Sequence, residues 1–257
     1  MNRIDNLFKI KKSNICSIYF TAGYPKLNDT VTIIEELASA GVDMVEVGVP
    51  FSDPMADGPV IQSSGSKALK NGMSLTVLFE QLSGIRERVT IPLVFMTYLN
   101  VIMQYGFEEF CKSCKRVGVD GVIIPDLPFA DYLDSYKAVA ANYGIHMIML
   151  ITPETSEERI RLIDKQTNGF IYVVSSAATT GAQRTFSPSA IDYFSRVDAM
   201  NLNNPHLIGF GISNKETMVQ ACKYGNGAII GSQFISLLAE NKPISDSIAE
   251  LKNRLNI

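Results

Sequence analysis

The segment Ala40-Gly-Val-Asp-Met-Val-Glu-Val-Gly-Val-Pro50 carries the pattern on which the prediction of the fold rests. A helix-like run ends at its glycine, and Val-Asp then leads into a short, continuous apolar run. Such a run is typical of a parallel strand that is covered on both faces. The same Gly-Val-Asp turn returns in Val117-Gly-Val-Asp-Gly-Val-Ile-Ile-Pro-Asp126. This faint internal repeat indicates a helix-to-strand unit that the chain uses more than once.

Eight apolar runs of this kind recur, and most are followed by a segment with helical spacing. They are Ile15 to Thr21, Met44 to Val49, Leu93 to Tyr98, Gly121 to Pro125, His146 to Thr152, Phe170 to Ser175, Leu207 to Phe210 and Ala228 to Gly231. Strands that alternate with helices favour a parallel sheet with right-handed crossovers. Eight units in about 250 residues match a closed barrel. The sequence therefore predicts an α/β fold, a (β/α)8 TIM barrel that residues 1–257 form as a single domain.

The composition is that of a compact globular protein and excludes several classes of partner. Of 257 residues, 46% are hydrophobic and 19% charged, and the net charge is −3. Lysines and arginines are spread along the chain, so we expect neither a nucleic-acid footprint nor a membrane-binding patch. The first twelve residues lack the apolar core of a signal peptide, and runs such as Met147 to Ile151 are too short to span a bilayer. We expect a cytoplasmic protein.

The four cysteines fit that compartment. Cys111-Lys-Ser-Cys114 has the spacing of a redox or zinc pair, but its surroundings, Phe107 to Val117, have the pattern of a helix. No second pair and no nearby histidine completes a metal site. We interpret all four as reduced thiols and predict no metal centre.

Two carboxylates near the second strand are the candidates for chemistry. Glu46 lies inside a strand that should be buried, where an unpaired carboxyl group has a raised pKa and can act as a general acid or base. A plainer reading pairs Glu46 with a lysine or arginine at the strand end. Asp57 follows in the loop Pro50 to Gly58, where an aspartate before Gly-Pro is commonly a turn former. Loops that follow strands lie at the C-terminal face of such barrels, where active sites are found.

Glycines after the last two strands indicate a phosphate site. Ile208-Gly-Phe-Gly-Ile-Ser213 follows strand 7 and Gly227-Ala-Ile-Ile-Gly-Ser-Gln233 spans strand 8, and these loops form the usual phosphate cradle of the fold. No lysine falls at a strand end, which disfavours a Schiff base. The two histidines, His146 and His206, fall at strand entries, on the opposite face. Of the reaction types considered, the sequence therefore favours acid–base catalysis by carboxylates on a phosphorylated substrate.

Glu46-Val-Gly-Val-Pro-Phe-Ser-Asp-Pro-Met-Ala-Asp-Gly-Pro-Val-Ile-Gln62 closely resembles the signature segment of tryptophan synthase alpha subunits. Shorter matches to the same family follow in order along essentially the whole chain. They are Phe20-Thr-Ala-Gly-Tyr-Pro25, Met96-Thr-Tyr-Leu-Asn100, Pro125-Asp-Leu-Pro128, Thr180-Gly181, Gly209-Phe-Gly-Ile-Ser213 and Gly231-Ser232. The resemblance implies a lyase of tryptophan biosynthesis that cleaves indole-3-glycerol phosphate to indole and glyceraldehyde 3-phosphate.

The resemblance also implies roles for individual residues. Glu46 would protonate C3 of the indole and is the better candidate to take the glycerol hydroxyl proton. Asp57 would bind the indole N–H and stabilise the charge of the indolenine tautomer. Glu46 is expected in an apolar strand and Asp57 in a wet, that is solvent-exposed, polar loop. These different environments would separate the pKa values of the two carboxyl groups. The implied phosphate ligands are Gly181, Gly211, Gly231 and Ser232, and the implied pocket residues are Tyr19, Tyr98, Asp126, Tyr172, Thr180 and Phe210.

Family members work with a beta subunit in an α2β2 heterotetramer, and pyridoxal phosphate is bound by that partner, so we expect no cofactor on this chain. The loop Pro50 to Gly58 and the region of Asn100 resemble the docking surface. One stretch departs from the family: Ser175-Ser-Ala-Ala-Thr-Thr-Gly181 stands where Ser-Arg-x-Gly-Val-Thr-Gly is usual. This change in the segment Ser176 to Thr179 puts loop closure and its coupling to the partner in doubt.

Two other functions stay open at this point. The first is another phosphate-binding barrel of the same pathway, such as an indole-glycerol-phosphate synthase or a phosphoribosyl-anthranilate isomerase. The synthase would need a strand-end lysine, which the sequence lacks. The second is a weakly active barrel that serves as an allosteric binding partner of the beta subunit. Indole release by the purified chain distinguishes this reading from the enzyme.

Overall fold

Eight parallel strands close into a barrel in the computed structural model, which describes residues 2–175 and 185–257. Each strand pairs with the next one along the chain, and the last pairs with the first. The strands are β1 (Ile15–Thr21), β2 (Met44–Gly48), β3 (Leu93–Met96), β4 (Gly121–Ile123), β5 (His146–Ile151), β6 (Ile171–Val174), β7 (His206–Gly209) and β8 (Gly227–Ile230). The predicted closed (β/α)8 barrel is therefore confirmed.

Helices cover the outside of this barrel. They are α1 (Arg3–Ile10), α2 (Asp29–Ser39), α3 (Pro59–Lys70), α4 (Leu75–Gln81), α5 (Leu99–Tyr105), α6 (Phe107–Val117), α7 (Phe129–Asp131), α8 (Lys137–Tyr143), α9 (Glu157–Gln166), α10 (Pro188–Ala199), α11 (Lys215–Tyr224), α12 (Ser232–Leu238) and α13 (Ile244–Leu255). A 3₁₀ turn (Ile85–Glu87) follows α4, and a π-helical turn (Tyr132–Tyr136) joins α7 to α8. The helix predicted from Phe107 to Val117 is confirmed as α6.

The core forms because each strand is apolar on both faces. Every residue of β1 is buried, and α2 packs a fully buried stripe of Ile33, Ile34 and Leu37 against the barrel. Between β3, α4 and α6 the rings of Phe79, Phe95 and Phe110 meet at centroid distances of 5.8 to 6.5 Å. Removing this apolar surface from water is the main force that closes the barrel.

One buried aspartate ties the N-terminal helix α1 to the bottom of the barrel. Asp120 precedes β4, and its side chain is 4% exposed. One carboxylate oxygen lies 3.0 Å from a guanidinium nitrogen of Arg3, and the other lies 2.6 Å from one of Arg86. The backbone N–H of Leu93, at the start of β3, donates to it at 3.0 Å. Asp120 thus joins α1, β3 and the 3₁₀ turn in one network.

Replacing Asp120 with alanine is expected to lower the free energy of unfolding by about 3 kcal/mol, because two guanidinium groups lose the carboxylate that compensates their partial burial. Urea denaturation at pH 7 measures this loss. Asp134→Ala removes an exposed aspartate and serves as the control, with an expected change within about 0.5 kcal/mol. Equal midpoints for the two variants would contradict this account of the network.

Candidate active site

A cavity opens at the C-terminal end of the barrel, with about 410 Å³ of space between its walls and its open mouth. Its walls come from three strand ends on one side and three on the other. The lining residues are Tyr19, Glu46, Asp57, Ile61, Met96, Tyr172, Phe210, Gly211, Ile212, Ile229, Gly231 and Ser232. Eight of these twelve were singled out from the sequence as site residues.

Glu46 projects into this cavity from the middle of β2. It is paired in register with Tyr19 of β1 and Val94 of β3, and it is 1% exposed. Neither of its carboxylate oxygens has a hydrogen-bond partner among the described residues. The alternative prediction, that Glu46 pairs with a lysine or arginine at the strand end, is therefore not supported by these residues. Burial, followed by the negative charge of Asp57, raises the pKa of Glu46 to about 8. The group is therefore largely a neutral acid at pH 7.

Asp57 reaches the same cavity from the loop that follows β2. Its backbone N–H donates to the carbonyl of Pro54 at 3.2 Å, and the preceding N–H, of Ala56, donates to the hydroxyl of Tyr98 at 3.0 Å. These bonds fold the loop over the mouth of the barrel. The predicted wet environment is wrong, because Asp57 is only 7% exposed. Burial raises the pKa of Asp57 to about 6, and a hydrogen bond with Tyr98 acts in the opposite direction.

The two carboxyl groups nevertheless keep different protonation states near neutral pH. With pKa values of about 8 for Glu46 and about 6 for Asp57, the first is mainly protonated and the second mainly ionised at pH 7. The charge of Asp57 itself contributes to the raised pKa of Glu46. A proton donor and a fixed anion therefore face one cavity, which is the arrangement that general acid catalysis with charge stabilisation requires.

Two tyrosines narrow the cavity by resting on glycines of the neighbouring strands. A Cβ atom at Gly48 would lie 2.1 Å from the hydroxyl oxygen of Tyr19, and one at Gly209 would lie 2.4 Å from that of Tyr172. Any side chain at either glycine would displace the ring. Burial, the largest cause, raises the pKa of both tyrosines well above the usual value. Both therefore remain neutral hydrogen-bonding groups.

The backbone after β7 is strained where it meets the cavity. Phe210 and Gly211 have φ angles of 69° and 76°, in the left-handed region that residues with side chains rarely occupy. The Ser175 hydroxyl donates to the carbonyl of Phe210 at 2.9 Å and helps hold this turn. The ring of Phe210 meets Tyr172 edge-on at 6.0 Å. The turn thus presents an aromatic wall and a bare glycine backbone to the cavity.

Some predicted site residues lie outside this lining. Tyr98 is buried behind the loop and contacts it through Ala56. Asp126 is exposed, and its carboxylate accepts the N–H of Leu99 at 2.8 Å, which holds the first turn of α5. Thr180 and Gly181, together with the altered segment Ser176 to Thr179, lie outside the described residues.

The sequence interpretation missed four apolar lining residues, Ile61, Met96, Ile212 and Ile229. They follow the same apolar pattern as core residues, so no local signal separates them. The alternation of β3 could have pointed to Met96, because Val94 pairs with Glu46 in register and Met96 lies two residues further on the same face.

A larger cavity, with about 930 Å³ of space measured in the same way, lies at the opposite end of the barrel, beside Cys16 and Lys252. The acidic side chain in its wall, Asp43, is already engaged, because it accepts from Lys11 at 2.6 Å and from the N–H of Cys16 at 2.8 Å. It therefore lacks the unpartnered carboxyl group that marks the cavity of Glu46.

The two histidines contact groups away from this cavity, and the cysteines form no disulfide among the described residues. His146 lies 2.8 Å from a carboxylate oxygen of Asp5, and His206 lies 2.8 Å from the carbonyl of Tyr224. All four cysteines are free thiols. Over residues 2–175 and 185–257, no group of three or more His, Cys, Asp or Glu side chains could hold a metal ion. Along the same ranges, no helix is both long enough and apolar enough to cross a membrane.

Comparison with known proteins gives one consistent family. The family model for the tryptophan synthase alpha chain matches residues 6–255. The tryptophan synthase alpha chain of Parabacteroides distasonis is 60% identical over 99% of both chains. That of Flavobacterium johnsoniae is 57% identical over 94% of this chain and 95% of its own.

Solved structures agree with the sequence comparisons. The tryptophan synthase subunit alpha of Legionella pneumophila superposes with a TM-score of 0.87 at 32% identity, covering 100% of this chain and 99% of its own. A mutant tryptophan synthase alpha-subunit of Pyrococcus furiosus gives the same TM-score at 32% identity, covering 96% and 99%. At 32% identity, the similarity to these structures supports membership of the same family and not only a shared barrel fold.

Proposed function

Because this chain belongs to the tryptophan synthase alpha chain family, we propose that Glu46 and Asp57 are the carboxyl groups that catalyse its reaction. That reaction is the cleavage of indole-3-glycerol phosphate to indole and glyceraldehyde 3-phosphate, a lyase step of tryptophan biosynthesis. The observation that carries the proposal is the carboxyl group of Glu46, which is buried in the cavity without a partner among the described residues, beside a second carboxylate of lower pKa.

The reaction needs a proton donor because indole is a poor leaving group until its C3 carbon is protonated. The neutral carboxyl group of Glu46 gives its proton to C3, and the positive charge that develops on the ring nitrogen faces the carboxylate of Asp57. The Glu46 carboxylate then takes the proton of the glycerol hydroxyl. The electrons of that O–H bond form the aldehyde C=O, and those of the breaking C–C bond return to the ring, which restores indole and the acid form of Glu46.

The rest of the cavity suits the substrate. We assign the indole and glycerol parts to the space between Tyr19, Tyr172 and Phe210, whose rings are apolar and whose two tyrosine hydroxyls can bind hydroxyl groups. The phosphate belongs at the bare backbone of Gly211, Gly231 and Ser232, at the ends of β7 and β8. The roles of Tyr98, Asp126, Thr180 and Gly181 rest on the family resemblance alone.

The chain is the alpha subunit of an alpha–beta complex. We propose that the loop of residues 50–58 and helix α5 form the docking surface for the beta subunit in an α2β2 heterotetramer. Met55 on that loop is 85% exposed and Met103 on α5 is 60% exposed, and such apolar exposure is typical of a contact surface. Pyridoxal phosphate belongs to the beta subunit in this proposal. We further propose one domain over residues 1–257 and a cytoplasmic location.

The direct test is indole release from indole-3-glycerol phosphate by the purified chain, alone and with its beta partner. We expect steady turnover that requires no added metal and increases when the partner is present. Absence of turnover with the partner bound would contradict the proposal and favour a barrel kept only as a binding partner.

A further inference from the structure

We propose that Gln62 is a positioning residue that holds the backbone of Asp57 in place for the reaction. The inference rests on the proposed function, because it gives Gln62 a role only through the carboxylate of Asp57. Gln62 lies in the first turn of α3, directly after the loop that carries Asp57, and neither the cavity lining nor the proposed mechanism includes it.

The side-chain amide of Gln62 donates to the Asp57 loop. Its Nε2 atom lies 2.8 Å from the carbonyl oxygen of Asp57 and 3.4 Å from that of Pro54. The backbone N–H of Gln62 donates to the carbonyl of Gly58 at 2.9 Å. One glutamine therefore binds the carbonyl groups of three loop residues, including that of Asp57 itself.

Helix α3 can act as a rigid support because buried bonds tie it to β1. The Ser64 hydroxyl donates to the carbonyl of Ile61 at 2.8 Å and lies 2.7 Å from the hydroxyl of Thr21. Since Ser64 has one proton to give, Thr21 is the donor between the two hydroxyls. At the other end of the helix, Asn71 donates to the carbonyls of Gly23 and Pro25 at 2.9 and 3.0 Å.

The carboxylate of Asp57 depends on this support because its own anchors are few. One of its oxygens has no hydrogen-bond partner among the described residues. Its position is therefore set by the hydrogen bond with Tyr98 and by its backbone, which Tyr98 holds at Ala56 and Gln62 holds at Asp57. A charge that acts on the transition state must be placed to within a fraction of an ångström.

The side chain of Gln62 is exposed, so its replacement leaves the core unchanged. Gln62→Met keeps the length of the side chain and removes the donor. We expect the kcat for indole release to fall about tenfold, because the carboxylate stabilises charge that develops after binding, while KM stays within about twofold. The melting temperature should match that of the wild type. Gln62→Glu, whose ionised carboxylate cannot donate, should lose at least as much.

Gln81→Met is the matched control. Gln81 also donates its amide to a loop carbonyl, that of Leu27 at 2.9 Å, but this loop carries none of the proposed site residues. Its kcat should stay within about twofold of the wild type. The pH profile adds a readout that a purely structural role would not move: displacement of Asp57 should shift the acid limb near pH 6 in Gln62→Met and not in Gln81→Met.

Two negative results lead to different conclusions. An active wild type in which Gln62→Met and Gln81→Met have equal kcat values would overturn the role of Gln62 and leave the proposed function intact. A fall in kcat that is matched by a lower melting temperature, or a rise in KM alone, would also overturn it. A wild type that releases no indole with its partner bound would remove the proposed function, and the role of Gln62 with it.

Discussion

Replacement of Glu46 by glutamine is expected to lower the kcat for indole release by about 10³-fold while a non-cleavable substrate analogue still binds. Glutamine has nearly the same shape but no proton acidic enough to reach C3 of the indole, and general acid–base groups contribute roughly 10²–10⁴-fold. Steady-state assays with the beta partner and calorimetric titration of the analogue measure the two quantities. Glu158→Gln, an exposed change in α9, is the control and should keep full activity.

Glu46→Gln should lower activity but raise stability relative to the wild type. Burial raises the pKa of Glu46 from its ordinary 4.5 to about 8 in the folded protein. Between these values the folded protein binds a proton that the unfolded chain has released, so the free energy of unfolding of the wild type decreases as pH rises through this window. Glu46→Gln lacks this loss. It should therefore become more stable relative to the wild type as pH increases from 4.5 to 8.

Turnover within tenfold of the wild type in Glu46→Gln would contradict its role as the acid. A wild type and variant with parallel stability profiles would contradict the raised pKa. Together the two measurements separate a catalytic carboxyl group from a structural one, because a carboxyl group retained for stability would not weaken the fold at neutral pH.

The barrel could be predicted from the sequence because its signal is local. A strand buried on both faces must be a continuous apolar run, as in Met44–Gly48, and the observed strand bounds lie within two residues of the predicted ones. Helix α1 was not predicted. It is held by contacts with Asp120, which is 117 residues away from Arg3 along the chain, and no pattern within α1 indicates that partner.

The burial of Glu46 could be predicted from the sequence, but the burial of Asp57 could not. Glu46 stood out because a carboxylate inside an apolar strand is costly wherever the strand is buried. Asp57 was expected in a solvent-exposed loop, because the local sequence Asp-Gly-Pro does not distinguish a loop in water from one that folds over the mouth of the barrel. Its burial depends on Tyr98, which binds the loop at Ala56 but lies 42 residues after it along the chain. The support from Gln62 could not be separated from an ordinary exposed helix residue without coordinates.

Replacement of Asp57 by asparagine is expected to lower kcat by about 10²–10³-fold, because an uncharged amide cannot offset the positive charge of the protonated indole. The variant should also change the pH dependence. In the wild type, kcat/KM should rise through about pH 6 as Asp57 ionises, and fall through about pH 8 as Glu46 loses the proton it must donate.

In Asp57→Asn the acid limb should disappear, since no group with a pKa near 6 is left to ionise at the site. The alkaline limb should remain but move to lower pH, because the negative charge of Asp57 helps to raise the pKa of Glu46 in the wild type. Asp134→Asn, on an exposed turn, controls for the loss of one charge and should keep both limbs. An acid limb near pH 6 that survives in Asp57→Asn would assign that ionisation to another group and leave Asp57 without its proposed role.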